Sequence, residues 1–190
     1  MGLTGFDLSY PLRLCYNPTT IRATARKESG MATPNETSDI SKMIRRLALL
    51  YRHFSETLER ELGPEKARPL IRKAIDAYGA QIGREARERN VDAGIPLSAA
   101  NYKDDLPSVG WETEPETILG EACTRVTRCP LADELRSIDP ALARIYCYVD
   151  QAKMQAYNPK LVYIHLKNIL DGDDFCRHTV RPKAGADLDG

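Results

Sequence analysis

Helical periodicity over residues 38–90 is the feature that most constrains how this chain can fold. Apolar residues recur there at the spacing of one helical face, with Arg and Glu between them. Gly63-Pro64 interrupts the pattern, since glycine readily ends a helix and proline suits the first turn of the next. The pattern predicts two long helices, 38–62 and about 64–90, joined tightly enough to form an antiparallel hairpin.

The same spacing predicts which side chains these helices bury. Pro69 is expected to kink the second helix or to delay its start. The stripe of the first helix comprises Ile40, Met43, Ile44, Leu47, Leu50, Tyr51, Phe54, Leu58 and Leu62, and that of the second comprises Leu70, Ile71, Ala74, Ile75, Tyr78 and Ile82.

The second half of the chain mixes strand and helix signals. The segment "ETILGEACTRVTRC" suits a strand that ends at Cys129-Pro130, since proline lacks the donor a continuing strand needs. A short helix is predicted over 131–137 and a longer one from Asp139-Pro140 to 157, because Asp caps and Pro opens a helix well. That helix is expected to bury Leu142, Ile145, Tyr146 and Val149.

Two further strands, "KLVYIHLKNIL" and "FCRHTV", are predicted to be joined by a hairpin turn at "DGDD". This order of elements predicts an α+β fold, in which an N-terminal helical hairpin and a C-terminal helix pack on a small antiparallel sheet.

The predicted domain organisation is simple. Residues 1–37 carry three prolines and no sustained period, so we expect an extended or disordered N-terminal arm; alternatively, Met31 is the biological start. Residues 38–182 are expected to form a single α+β domain, and 183–190 a C-terminal tail. The loop at 91–110 is long enough to act as a lid over a pocket.

Composition excludes several classes of function. Lys plus Arg and Asp plus Glu both number 27, so a nucleic-acid partner or a membrane-binding surface is not expected. No segment has the apolar length of a membrane span, and the N-terminus lacks the features of a secretory signal. Five scattered cysteines predict reduced thiols in a cytoplasmic protein. We expect no cofactor, because no glycine-rich phosphate loop is present, and exposed sheet edges make a homo-oligomer a possible state.

The pair Cys176 and His178 is the first candidate for chemistry. Residues two apart in a strand share a face, so the thiol and the imidazole can lie close together. A neighbouring imidazolium lowers the pKa of a thiol and raises its nucleophilicity. On this local pattern alone, a buried structural cysteine beside a solvated histidine is the preferred interpretation. His53 and His165 are expected to be structural.

A second candidate pair lies on the long helix. Cys147 and Asp150 are neighbours on its surface, where a carboxylate can orient a histidine or activate water. The commoner alternative is a surface aspartate beside a half-buried cysteine. Cys129, Cys147, Cys176 and His178 could in principle hold zinc, but the paired short spacings of structural zinc sites are missing, so no metal is expected.

The segments "RCPLADELR", "ARIYCYVDQAKMQAYNPKL" and "LDGDDFCRHTV" together resemble the 2-amino-thiazoline-4-carboxylate hydrolase family. The shared features are a Cys-Pro-Leu segment, a helix with Cys-x-x-Asp, an Asn-Pro before the last hairpin, and Gly-Asp-x-x-Cys in its turn. The resemblance spans roughly residues 40–180, and its specific motifs lie within 128–178.

The resemblance implies a small-molecule hydrolase that opens a cyclic amidine or a related non-peptide C–N bond. On this basis Cys176 is expected to be the nucleophile, with His178 activating it and Asp150 orienting His178 or a water. Cys147, with Asp150 as base, is the rival nucleophile. The resemblance also implies that Cys129, Asn158 and Asp173 bind substrate.

Two interpretations from other classes remain open. The first is a non-catalytic module that binds a small ligand or a metal in the same thiol-lined pocket. The second is an accessory subunit whose N-terminal arm holds a partner chain.

Overall fold

The computed structural model describes the backbone of residues 34–185 and the side chains of residues 39–185. Most of the predicted arm and tail therefore lie outside the described residues. Residues 34–37 belong to the first helix, which starts four residues earlier than the sequence predicts. Among the described residues, no helix combines the length and the apolarity that crossing a membrane requires.

The two long helices are confirmed as α1 (Pro34–Leu62) and α2 (Pro64–Asp92). Only Gly63 separates them, at a φ of 76° that favours glycine over any residue with a Cβ. The side chains of Glu59 and Arg68 meet at 2.7 Å and tie the end of α1 to the first turns of α2. Because α2 begins at Pro64, Pro69 does not delay its start.

The buried stripe of α2 differs from the predicted one. Leu70 and Tyr78 are exposed, as is Ala74, whereas Ile71 and Ile75 are buried as predicted and the other core-facing positions carry alanine or glycine. That stripe comprises Ala67, Ile71, Ile75, Gly79, Gly83 and Ala86. The two glycines permit the backbone of α2 to approach the next helical layer more closely than large side chains allow.

Three shorter helices follow: α3 (Pro130–Leu135), α4 (Pro140–Tyr146) and α5 (Tyr148–Tyr157). The predicted start at Asp139 is confirmed, since its side chain accepts a hydrogen bond from Leu142 N at 2.9 Å. The predicted single helix is interrupted at Cys147, whose N–H bonds to Arg144 O in the tighter i to i−3 pattern. The four side chains predicted to be buried on this segment are buried.

The sheet has four antiparallel strands: β1 (Glu112–Ile118), β2 (Glu121–Arg128), β3 (Leu161–Lys167) and β4 (Cys176–Pro182). Their order is β1-β2-β4-β3, so the last strand lies between β2 and β3. With the helices packed around it, this sheet confirms the α+β class.

One predicted strand is in fact a hairpin. Leu119 and Gly120 lie between β1 and β2 with φ values of 52° and 83°. Positive φ at both central residues characterises the tight turn that suits antiparallel strands. The prediction of one strand over 116–129 was wrong because leucine is an unusual residue at the first of these positions.

The connection between β3 and β4 is longer than the predicted turn at "DGDD". It spans residues 168–175 and includes a 3-10 turn at Ile169–Asp171. Asn168 Oδ1 accepts a hydrogen bond from Leu170 N at 2.9 Å, and Asp173 Oδ2 accepts one from Asn168 N at 2.8 Å. These side chains shape a loop that carries Asn168 below the surface.

The main core is formed by apolar residues of α1, α2, α3, α4 and the 3-10 turn. Cys129, Cys147 and Cys176 are partly buried and pack against it. A smaller core of Ala86, Met154, Tyr157 and Leu161 joins α2 and α5 to β3. Packing in these two cores places α4 and α5 beside the end of the sheet where the cysteines lie.

Candidate active site

The face of β4 that carries Cys176 and His178 forms one wall of the candidate site. In the register of the sheet, Val126 lies opposite Cys176, and both Thr124 and His165 lie opposite His178. Because strand residues two apart share a face, the thiol and the imidazole lie on the same side of β4, as predicted. His165 therefore joins this wall, which the sequence analysis did not anticipate.

Tyr163 packs between the two imidazoles of this wall. Its ring stacks on His178 with centroids 4.9 Å apart, and meets the edge of His165 at 5.0 Å. Burial lowers the pKa of His165 to about 4. Burial also lowers the pKa of His178, although the charge of Asp150 acts in the opposite direction. Both rings are therefore neutral at pH 7 and able to accept a proton.

The three thiols of the cluster are protonated at neutral pH. Burial raises the pKa of Cys147 to about 12, and it also raises the pKa values of Cys129 and Cys176. The Cys176 sulfur accepts a hydrogen bond from Ile169 N at 3.3 Å, which partly offsets burial. The predicted lowering of the Cys176 pKa by an imidazolium does not occur, because desolvation acts against both charged forms. Activation of this thiol therefore requires transfer of its proton to a base.

Asp150, in the first turn of α5, lies on the same side of the molecule as Cys176. Both groups act on the Tyr163 hydroxyl, whose pKa is raised chiefly by burial and further by Asp150, Cys147 and Cys176. The ion-pair partner of Asp150 is Lys153, at 3.4 Å. Asp150 therefore influences His178 through its charge.

Lys153 is a buried cation with two carboxylate partners. Its ammonium group lies 2.6 Å from Asp104 in the loop before β1, in addition to its contact with Asp150. Burial alone lowers the pKa of Lys153, but the two carboxylates raise it above its usual value. This ion triad connects the loop of residues 93–111 to α5 and fixes the position of Asp150.

Arg144 and Asn168 bring hydrogen-bond donors to the cysteines, and the sequence analysis missed both. Asn168 is 1% exposed, and its side chain meets the sulfur of Cys147, a weak acceptor, while Nδ2 has no oxygen or nitrogen partner in the described part of the chain. The Nη1 of Arg144 is likewise buried without a partner, while its Nε donates to Asp171 at 3.0 Å. Both side chains lower the pKa of Cys147 against the larger effect of burial, which places them beside its sulfur. A lone arginine in the apolar run "ALARIY" was the available sequence signal.

Two predicted substrate-binding residues have contacts within the protein. Asn158 donates to Leu97 O at 2.6 Å and accepts from Lys160 N at 2.9 Å. Asp173 accepts from Asn168 N and lies 3.6 Å from Lys167. These contacts hold the 93–111 loop and the β3–β4 loop in place. A role for either residue in substrate binding stays a prediction.

The third predicted substrate-binding residue, Cys129, lies at the start of α3. The N–H groups of Leu131 and Ala132 and the Trp111 indole partly offset the effect of burial on its pKa. Cys176 acts electrostatically on Cys129, so the two sulfurs belong to one cluster. Its role also stays a prediction.

A groove of about 930 Å³ opens beside the cysteine cluster. It runs between the start of α2, the α3–α4 segment and the 3-10 turn, and it shares Arg144 and Ile169 with the cluster. Tyr148 lies in this groove with the Arg72 guanidinium 3.5 Å from its ring centroid. The groove provides room for a small molecule next to Arg144.

Within residues 39–185, no three His, Cys, Asp or Glu side chains are arranged to hold a metal ion. The described residues thus offer no cluster for the Cys3His zinc site considered from the sequence.

Comparison with known proteins identifies one family. The model of the L-2-amino-thiazoline-4-carboxylic acid hydrolase family matches residues 42–179. This match covers most of the chain and includes every residue of the candidate site. No curated protein matches the chain.

Proposed function

The chain belongs to the L-2-amino-thiazoline-4-carboxylic acid hydrolase family, and from this premise we propose that it opens the ring of a thiazoline carboxylate or a similar cyclic amidine. The observation that carries the proposal is the convergence of two thiols, two neutral imidazoles and one carboxylate on Tyr163. Hydrolysis of an amidine needs a nucleophile and a group that accepts and returns protons. This cluster contains both.

We assign the nucleophile to Cys176. Its sulfur shares a strand face with His178 and accepts a hydrogen bond from Ile169 N, a donor that also favours the thiolate. The low pKa of His178 keeps the imidazole unprotonated, as a general base must be. These features support a proton transfer from Cys176 to His178 as substrate binds.

In the first step, the sulfur of Cys176 bonds to the amidine carbon, and the thiol proton passes to His178. The substrate amidine enters protonated on its ring nitrogen, and the electron pair of the C=N bond moves to that nitrogen. The lone pair of the exocyclic amino nitrogen then forms a new C=N bond as the bond from this carbon to the ring nitrogen breaks, and His178 returns its proton to the departing nitrogen. The product of this step is a covalent adduct on Cys176.

In the second step, water attacks the same carbon and gives one proton to His178. The bond between the carbon and Cys176 then breaks as the added oxygen forms a C=O bond and releases its remaining proton to solvent. The sulfur takes back the proton held by His178 and becomes the thiol again. The net reaction adds one water across the C–N bond. Asp150 assists by favouring the protonated state of His178, in keeping with its effect on the pKa of that ring.

Cys147 is the rival nucleophile, with Asp150 as its base. Burial raises the pKa of Cys147 to about 12, so forming its thiolate costs more than deprotonating an ordinary thiol. Arg144 and Asn168 lie beside its sulfur and partly offset that cost. The burial of Cys147 favours a positioning role for this residue. Cys176 is therefore the preferred nucleophile.

Single cysteine-to-alanine variants test the assignment. With L-2-amino-thiazoline-4-carboxylate as substrate, Cys176→Ala is expected to lower kcat by at least about a thousandfold, because no adduct can form. Cys147→Ala is expected to lower kcat by about tenfold or less. Cys123→Ala is the matched control, since Cys123 is also buried in the sheet but lies opposite Glu116 on the other strand face. Full turnover in Cys176→Ala would reject this nucleophile.

The raised thiol pKa values also favour a second candidate, a non-catalytic module that binds a small carboxylate. This alternative predicts that the protein binds the thiazoline with no turnover, and that neither Cys176→Ala nor His178→Asn changes affinity. Measuring the primary amine and the S-carbamoyl product of ring opening alongside binding separates the two candidates.

A further inference from the structure

Buried hydrogen-bond donors that lack an oxygen or nitrogen acceptor are rare in folded proteins, and here two of them lie beside the sulfur of Cys147, which is only a weak acceptor. Leaving such a group unpaired in a protein interior costs free energy that a partner recovers. The donors are Nδ2 of Asn168 and Nη1 of Arg144. Their shared position beside Cys147 indicates a site prepared for an acceptor.

The bonding pattern of each side chain shows which of its edges is available. Arg144 uses Nε to hold Asp171, which is 51% exposed, and leaves Nη1 on the buried side. Asn168 uses Oδ1 to cap the 3-10 turn through Leu170 N and leaves Nδ2 free of a regular bond. Each side chain is thus fixed by one internal bond and offers one donor toward the cluster.

A carboxylate is the acceptor that suits this pair. It carries a full negative charge, which the guanidinium compensates, and its two oxygens can accept from two donors at once. A neutral carbonyl could accept the same bonds but would gain nothing from the charge of Arg144. The groove of about 930 Å³ is lined by the same arginine.

We infer that Arg144 and Asn168 bind the carboxylate of the substrate and so orient its ring toward the cysteines. This inference rests on the proposed function and extends it by assigning the groups that select an acidic substrate over a neutral or cationic one. Asp171 bonds to Arg144, and Asp150 acts electrostatically on Cys147, so a substrate anion depends on both donors to offset the charge of these carboxylates.

The test compares L-2-amino-thiazoline-4-carboxylate with 2-amino-thiazoline, which lacks the carboxylate. For the wild-type protein we expect kcat/KM to favour the acid by about a hundredfold. In Arg144→Gln, KM for the acid should rise by about tenfold to hundredfold while the values for 2-amino-thiazoline change little, as expected for the loss of a charged hydrogen bond. Arg144→Lys should retain part of the preference, and Arg136→Gln, an exposed arginine in the same groove, should retain all of it.

Asn168→Asp is the sharper variant. It keeps an oxygen for the Leu170 N–H and replaces the free donor by a second anionic oxygen. Affinity for the acid should fall by at least about tenfold, and affinity for 2-amino-thiazoline should stay level or rise. Thermal unfolding of each variant establishes that it is folded.

Calorimetric binding of both compounds to the same proteins separates this inference from the proposed reaction. A carboxylate preference in binding that is lost in Arg144→Gln supports the inference. If the wild-type protein shows this preference but no turnover, the hydrolase proposal fails and the inference about carboxylate binding stands. Equal losses on both compounds, an unchanged preference in Arg144→Gln, or no preference in the wild-type protein would overturn the inference.

Discussion

Lys153 and Arg144 are both largely buried cations on the α4–α5 segment, and they differ in how their charge is satisfied. The side chain of Lys153 is 10% exposed and has two carboxylate partners, Asp104 and Asp150. The side chain of Arg144 is 16% exposed and has a donor without a partner on its buried side. The difference separates a region built for stability from one prepared for a ligand.

The surroundings of the two cations follow the same division. Around Lys153, α2 and α5 pack so closely that Gly79 and Gly83 contact the backbone of α5. Around Arg144, the loop of residues 168–175 places Nδ2 of Asn168, which has no oxygen or nitrogen partner in the described residues, beside the thiol of Cys147. Substitutions near Lys153 should therefore lower the free energy of unfolding, and substitutions near Arg144 should mainly change ligand binding.

The largest expected effect on stability is that of Gly83→Ala. A Cβ at this position would lie 2.1 Å from Lys153 O, a backbone atom that moves only with α5. We expect a loss of about 3 kcal/mol in the free energy of unfolding, as for other overpacked cores, measured by urea denaturation.

Ala77→Gly on the exposed side of the same helix is the control for Gly83→Ala. It should cost about 1 kcal/mol through helix propensity alone. If Gly83→Ala proved stabilising by a similar amount, the close contact between α2 and α5 would be wrong.

Asp104→Asn should have the next largest effect. It removes the nearer carboxylate from Lys153, and a buried cation deprived of a partner is costly. We expect a loss of about 2 kcal/mol by the same urea measurement. Its neighbour Asp105 is the matched control, because its side chain is 64% exposed where it pairs with Arg89. Asp105→Asn should change stability by less than about 0.5 kcal/mol, and equal losses in both variants would contradict the role given to the Lys153 triad.

Acid should destabilise the protein through its buried histidines. The pKa of His165 falls from 6.5 to about 4 on folding, so between these values the unfolded state binds more protons than the folded state. Stability therefore falls as pH decreases through this window, and His178 contributes in the same direction. In His165→Gln, we expect the drop in the free energy of unfolding between pH 7 and pH 4.5 to be about 1–2 kcal/mol smaller than in the wild-type protein.

Urea denaturation at pH 7 and pH 4.5 measures this effect as the difference between the wild-type protein and the variant. His53→Gln is the control, since the side chain of His53 is 71% exposed on α1. A pH dependence that is the same in wild type and His165→Gln would mean that His165 is not buried as described.

The smallest expected effect on stability is that of Arg144→Gln. The variant loses a pair with Asp171, whose side chain is 51% exposed, and also removes a buried donor that has no oxygen or nitrogen partner in the described residues, so the two changes nearly cancel. We expect a change within about 0.5 kcal/mol in urea, beside the large rise in KM predicted above. A loss comparable to that of Asp104→Asn would remove the distinction between the two regions.

Sequence periodicity predicted the helices well because their apolar residues repeat regularly and their ends carry Asp, Gly and Pro. It failed in part for α1, where the predicted core residues Met43, Leu50, Phe54 and Leu62 are exposed. It also failed for the buried face of α2, where Gly79 and Gly83 face the core and Leu70 and Tyr78 do not. Hydrophobicity ranks large side chains as buried, whereas close packing of two helices selects small ones. The partner helix that makes this selection is distant in sequence.

The candidate site divides in a similar way. Cys176 and His178 were predictable because strand alternation is a local rule. Their neighbours Arg144, His165 and Asn168 were missed, since their proximity depends on β4 lying between β2 and β3 and on a loop that buries Asn168. The charge states were also mispredicted, because burial outweighs the pairwise effect of an imidazole on a thiol.

Direct detection of the covalent intermediate tests the central claim. Wild-type protein mixed with excess L-2-amino-thiazoline-4-carboxylate and quenched in acid within the first turnovers should show, by intact-protein mass spectrometry, an added mass that peptide mapping assigns to Cys176. His178→Asn should slow the appearance of this adduct, and Cys176→Ala should lack it. Continued turnover with no adduct on any cysteine, or with the adduct on Cys147, would contradict the account.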